Sequence, residues 1–323
     1  MKFSKVFGYM ILSVIYAWVS SAILVFHGPF DSLKSYVIGI FTTSMHPQYL
    51  APLSMWTVSA EENKPSMVVE VEKDNIKDKE IYKNIKAHLK NNTDESITIE
   101  DYKDKTYSAK IMLVPDPTRI RVAVTKYKGD VGQTVGEMVE DNKAVAGING
   151  GAFQDVGYRG TGGVPLGTTI QKGEFVTKGG TQPIVGFTRD GVLMVGSYSE
   201  KELMDRDVTE ALTFGPVLVK DGKGVVKGDG GWGAAPRTAI GQREDGTVIM
   251  IVTDGRMIHG ANNLGATMND LMHLMLKYGA VSAANLDGGS SATMVKDGVL
   301  INEPSDVLGE RKIATSFIVM PQK

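Results

Sequence analysis

The chain has 323 residues, 42% of them hydrophobic and 22% charged, with a formal net charge of −2. That is length enough for one large or two modest domains with a sizeable core, and the charge is too evenly balanced for a protein that coats nucleic acid. The absence of cysteine removes disulfide frameworks, thiol nucleophiles and thiolate zinc sites.

From Val6 to Phe26 no residue is charged, and the run is long enough to cross the ~30 Å hydrocarbon layer as one helix. Lys2 and Lys5 precede it and Asp31 follows, so the positive-inside bias predicts a single-pass anchor, residues 1–27, with the rest of the chain outside the cytoplasm. A cleaved signal peptide is the alternative, since Ser20-Ser21-Ala22 is small, although the apolar run continues past it to Phe26. Residues 28–95 read as a juxtamembrane segment and charged linker. Pro47 and Pro52 interrupt the first part, and mixed charge fills 61–92, where Ile81, Ile85 and Leu89 recur at helical spacing and predict one short helix in a solvated stretch. All of the 37 glycines except Gly8, Gly28 and Gly39 lie from Gly129 onward, so a differently built domain is expected over 96–323.

That domain is predicted to be α+β, a mixed, strand-rich sheet core with few helices. Short β-runs bounded by Gly, Asp or Pro follow one another from SITIEDY (96–102) to TSFIVM (315–320), and TTIQKGEFV (168–176) is taken as one of them. Asp190-Gly191, Asp221-Gly222, Asp245-Gly246 and Asp297-Gly298 fall between apolar runs and predict hairpin turns. Two helices carry capping-box starts, at Thr134 to Glu137 and at Thr267 to Asp270, the second presenting Leu271, Leu274 and Met275 on one face. The order strand (247–253), helix (267–278), strand (281–286) is a βαβ pattern, whose two strands run parallel if they share a sheet.

Three apolar strands each end in Asn or Asp followed by glycine: Asn149-Gly150-Gly151, Asp254-Gly255-Arg256, and Asp287-Gly288-Gly289-Ser290-Ser291. Each alone is an ordinary Asx turn. Recurring at strand C-termini, where ligands collect in α/β sheets, they predict a cleft that both carboxylates face, with glycine amides approaching a bound oxyanion and carboxylates doing acid or base work. Arg237 offers the matching cation, since a guanidinium fork fits phosphate or carboxylate. Ser290 and Ser291 are expected to donate hydrogen bonds. A P-loop, an HExxH helix and a Gly-x-Ser-x-Gly elbow are absent, the five histidines do not pair at ligand spacing, and no metal or cofactor is expected. His259 alone stands near a site residue. Gly157 to Gly163 matches a dinucleotide fingerprint only loosely and is expected to be a mobile loop.

Taken in order, GINGGAF (147–153), PLGTTIQKGEF (165–175), FGPVLVKDGK (214–223), PRTAIG (236–241), VTDGR (252–256) and NLDGGSSATMV (285–295) resemble the phosphodiester glycosidase family over roughly residues 100 to 320. Ser290 stands where the family pattern usually has a third glycine. The resemblance, which extends to bacterial members with an N-terminal membrane anchor, implies a hydrolase that cleaves the sugar C1 to O bond of a glycosyl-1-phosphodiester; the expected location outside the cytoplasm, and that alone, points to cell-envelope glycans or exopolysaccharide as substrate. The resemblance also implies Asp254 or Asp287 acting on water or C1, Arg237 neutralising phosphate, and Asn149 and Thr168 holding sugar hydroxyls or phosphate oxygens. Gly150, Gly151, Arg256, Gly288, Gly289, Ser290 and Ser291 complete the expected substrate contacts. The alternatives are a phosphodiesterase cutting the phosphorus to oxygen bond, with the same site, and a non-catalytic glycan-binding envelope protein.

Overall fold

The computed structural model describes residues 2–30, 33–34, 36–38, 49–59, 80–154, 162–306 and 309–322. Most of the charged stretch (60–79) and of the loop expected to be mobile (155–161) lies outside the described residues. Contacts divide the chain into two compact units, Met1–Met67 with Gly230–Ala234, and Val68–Asp229 with Ala235–Lys323.

In the first unit, helix α1 (Lys2–His27) is long and apolar enough to cross a membrane. Large apolar side chains from Val6 to Leu24 are exposed along it. Near its end, Ala22 and Phe26 pack with Leu50 and Val58.

The second unit is the strand-rich α+β body. Its seven-stranded sheet runs β1 (Thr98–Lys103), β2 (Ser108–Val114), β15 (Val248–Thr253), β14 (Thr238–Arg243), β16 (Ala280–Leu286), β12 (Val217–Lys220), β13 (Lys223–Gly224). A five-stranded sheet runs β10 (Leu193–Tyr198), β9 (Gln182–Thr188), β11 (Val208–Thr213), β7 (Thr169–Gln171), β8 (Glu174–Thr177). Another runs β18 (Val299–Leu300), β17 (Met294–Lys296), β4 (Ala146–Asn149), β19 (Thr315–Val319), β3 (Ile120–Val124), and β5 (Phe153–Gln154) pairs with β6 (Val164–Pro165). One core joins the three larger sheets: Met250, Val252 and Leu286 from the first, Val185 and Phe187 from the second, Ile148 and Phe317 from the third. Phe187 and Phe317 meet edge to face there at 6.0 Å.

All four Asp-Gly pairs sit at strand-to-strand turns, and at Asp221-Gly222 and Asp297-Gly298 both residues have positive φ, as a two-residue hairpin loop requires. TTIQKGEFV is two strands, not one, because Lys172-Gly173 makes the same kind of turn. The capping boxes at Thr134 and Thr267 open α3 (Val135–Asp141) and α5 (Met268–Lys277). A third box, Ser199 with Glu202, opens α4 (Glu200–Asp205), which the sequence patterns had not marked.

The helix expected around Ile81 to Leu89 is α2 (Glu80–Asn91), and it belongs to the folded body rather than to a solvated linker. Tyr82 and Ile85 are buried among Ile170, Ile184, Met194 and Tyr198, with Leu89 packed beside them. Asn84 Nδ2 donates to Glu244 Oε1 at 2.7 Å, and Lys86 pairs with Asp190 at 2.7 Å. Packing therefore extends N-terminal to the boundary expected at residue 96.

Candidate active site

The two Asp-Gly strand ends arrive side by side because β14 lies between β15 and β16, antiparallel to both, with Thr238 opposite Val252 on one side and Leu286 on the other. The expected parallel pair is thus present with one strand inserted, and Arg237 immediately precedes that strand. Glycine is required at both junctions. A Cβ on Gly255 would sit 3.0 Å from Pro236 Cδ, and one on Gly288 would sit 2.7 Å from Pro236 O. The third strand end joins through Asn149, although β4 belongs to another sheet. Asn149 Nδ2 donates to Asp287 O at 2.6 Å, its Oδ1 accepts from Thr238 Oγ1 at 2.6 Å and Thr293 N at 3.1 Å, and Asp287 N donates to Gly150 O at 3.1 Å.

Those bonds change the role expected of Asn149. The residue is fully buried and its side chain bonds to protein partners, one of them the Asp287 carbonyl. The glycine amides are occupied too: Gly150 N by Thr315 O, Gly151 N by Thr315 Oγ1, Gly289 N by Pro236 O and Gly288 N by Asp287 Oδ1. Thr168 is also buried, with its hydroxyl accepting from Gly179 N and Gln182 Nε2.

Three arginines gather there. Arg237 is buried, its Nε donating to Ala266 O at 3.2 Å, and burial first, then the charge of Arg256, lowers its guanidinium to about 10, so it stays charged at neutral pH. Arg256 follows the Asp254-Gly255 turn at positive φ and donates to Ser290 Oγ at 3.2 Å, tying one strand end to the other. Arg311 lies over the Phe153 ring, 5.1 Å from its centroid, and its charge acts on Asp287. Burial raises the Asp287 carboxyl above the ordinary carboxylate range, opposed by Ser291, Arg311, the Gly288 amide and Arg237.

Asp254 occupies different ground. It lines an open cleft of about 650 Å³ with Tyr107, Ser108, His259, Asn263 and Glu303, and Asp287 is not among the walls. The expectation that both carboxylates face one cleft is therefore corrected. Val252 and Leu286 lie on the same sheet face, and Asp254 is two residues beyond the first whereas Asp287 is one beyond the second, so strand alternation sends them apart. Asp254 Oδ2 accepts from Ser108 Oγ at 3.2 Å and lies 3.0 Å from His259 Nε2.

Sequence patterns missed Ser108, His259 and Arg311 as site residues. His259 carried a signal, five residues after Asp254. Arg311 carried none, because it lies in the loop ahead of β19 and meets the Phe153 ring only through the fold. Among the described residues no group of three or more His, Asp or Glu is placed to hold a metal ion.

A family model described as phosphodiester glycosidase matches residues 142–320. The chain is 28% identical over 193 residues to N-acetylglucosamine-1-phosphodiester alpha-N-acetylglucosaminidase of Bos taurus, covering 54% of this chain and 35% of that protein. For the Mus musculus enzyme of the same name the identity is 27% over 233 residues, covering 64% and 43%. An SPbeta prophage-derived protein of Bacillus subtilis, YomE, is 32% identical over 202 residues, 58% of this chain and 30% of that one. The chain thus spans less than half the length of these relatives. Among solved structures, the zebrafish N-acetylglucosamine-1-phosphodiester alpha-N-acetylglucosaminidase catalytic domain, auto-inhibited by its pro-peptide, shares the fold with a TM-score of 0.59 at 23% identity, covering 72% of this chain and 85% of that one. A protein from Synechocystis matches at 0.54 and 14% identity, covering 69% and 62%.

Proposed function

The chain belongs to the phosphodiester glycosidase family, and from that membership we propose that it hydrolyses a glycosyl-1-phosphodiester at the sugar C1 to O bond, releasing a sugar and a phosphomonoester. The observation that carries the proposal is the charge of Arg237 and Arg311 acting on Asp287, with Arg256 donating to Ser290 close by. A phosphodiester is an anion and a good leaving group, so guanidinium forks that neutralise it replace much of the proton donation that an ordinary glycosidase needs. Asp287 then stands beside C1, where a carboxylate stabilises the developing cation.

The substrate we favour is an envelope glycan carrying sugar-1-phosphodiester links, reached from outside the cytoplasm by a body tethered through α1. The absence of charge from Val6 to Phe26 and the lysines ahead of it support that placement. The test is product analysis on a panel of sugar-1-phosphodiesters. A free reducing sugar with a phosphomonoester supports the glycosidase. A sugar phosphate means that the phosphorus to oxygen bond was cut, and binding without turnover means a glycan-binding protein.

A further inference from the structure

We infer that Glu310 is a positioning residue for the candidate site: by bonding to the backbone at the start of α3 it holds Arg311 against Phe153, where the guanidinium charge acts on Asp287. The inference rests on the glycosidase reading and adds to it the group that fixes this arginine. Arg311 lies between β18 and β19, outside any strand or helix. Two anchors flank it. On the C-terminal side, Ile313 N donates to Gln133 O at 2.9 Å and Gln133 N to Ile313 O at 3.0 Å. On the N-terminal side, the Glu310 carboxylate accepts from Gly136 N at 3.1 Å, and the Val135 amide acts on it as well.

The same helix fixes what Arg311 packs on. Val135, Met138 and Val139 of α3 are buried in one cluster with Ile313 and Ile318, and Phe153 packs against that cluster. The ring and the guanidinium, 5.1 Å from its centroid, therefore both depend on α3. A long side chain held this way has less rotamer freedom left to lose when substrate is bound. Backbone and carboxylate also approach closely, since a Cβ on Gly136 would be 3.1 Å from Glu310 Oε1. Burial above all raises the Glu310 carboxyl, the charge of Glu137 adds to this, and the two amides oppose it. Stability alone disfavours a carboxylate there, whereas placement of the next residue accounts for it.

The experiment compares the full chain with E310A, R311A and the double variant. On a sugar-1-phosphodiester that the parent cleaves, R311A should lower kcat by ~10² to 10³, the effect of one lost transition-state donor, and E310A by ~10 to 10², the effect of a misplaced one. The double variant should match R311A within about twofold, because Glu310 acts only through Arg311. A further drop overturns the assignment. A second readout needs no turnover. In protein carrying ¹³Cγ-aspartate, the Asp287 signal, assigned by its loss in D287N, should titrate higher in E310A than in the parent, as it should in R311A, because a positive charge has moved away. Deleting the Glu310 charge without moving Arg311 would shift that signal down. An Asp287 midpoint unchanged or lowered in E310A refutes the proposal. Should E310A fail to fold, G136V, which crowds the carboxylate without deleting it, carries the same expectations. If the parent cleaves nothing in the panel, the glycosidase reading fails, and the Asp287 titration still decides the role of Glu310.

Discussion

Asn149 shows how one buried side chain can tie three segments of a candidate site together. Its side chain satisfies the Asp287 carbonyl, the Thr238 hydroxyl and the Thr293 amide, and Asn149→Ala strands all three in the interior at a cost of roughly 2–4 kcal/mol. Denaturant melts should show that loss, while Asp221→Asn, at a left-handed turn position that asparagine tolerates, should melt within ~0.5 kcal/mol of the parent. Arg237→Lys keeps the charge but removes the fork, and steady-state kinetics should show kcat lower by ~10² to 10³, the effect of deleting one transition-state donor. Asp287 makes the opposite trade. Its folded-state pKa is raised by burial, so the stability it contributes is present at acid pH and lost as pH rises through that value. The ionised form is the destabilising one, and Asp287→Asn should abolish turnover yet melt above the parent at pH 7, the gap closing as pH falls.

The most consequential element is α2. Its Tyr82 and Ile85 complete the core over the outer face of the β9 and β10 sheet, and truncating one such buried side chain costs about 2–5 kcal/mol. A fragment starting near residue 78 should therefore give a cooperative melt, and one starting at 96 should be molten or insoluble, as circular dichroism and thermal scans would report. The sequence already held the helix in the spacing of Ile81, Ile85 and Leu89, all of which pack against the body with Tyr82 added to them, and high surrounding charge hid the difference between a solvated helix and a docked one. The Asp-Gly hairpins and two capping boxes were legible because each is local chemistry. Strand β11 (VTEALT) was not, since Glu210 interrupts its apolar run and is buried only because Val122 N donates to it at 2.8 Å and Arg121 lies 3.6 Å away.

For the molecule as a whole, the recurrence of Asn or Asp before glycine was enough to mark the three strand ends that meet. What it could not supply was the face on which each carboxylate emerges, because that depends on sheet register across β14 and on a third strand from another sheet. Orientation about the membrane is testable directly. Under the proposed placement, with Lys2 and Lys5 on the cytoplasmic side, a reporter active only outside the cytoplasm, fused after Lys323, should be active and its cytoplasmic counterpart silent.

The stitching of Asp287 to Asn149 has a further consequence for how such a site can diversify. Arg237 and Asp287 stand on one sheet while Asn149 stands on another, so the Asp-Gly-Gly segment grafted alone onto a foreign scaffold would carry no geometry with it. The inheritable module is the seam between two sheets.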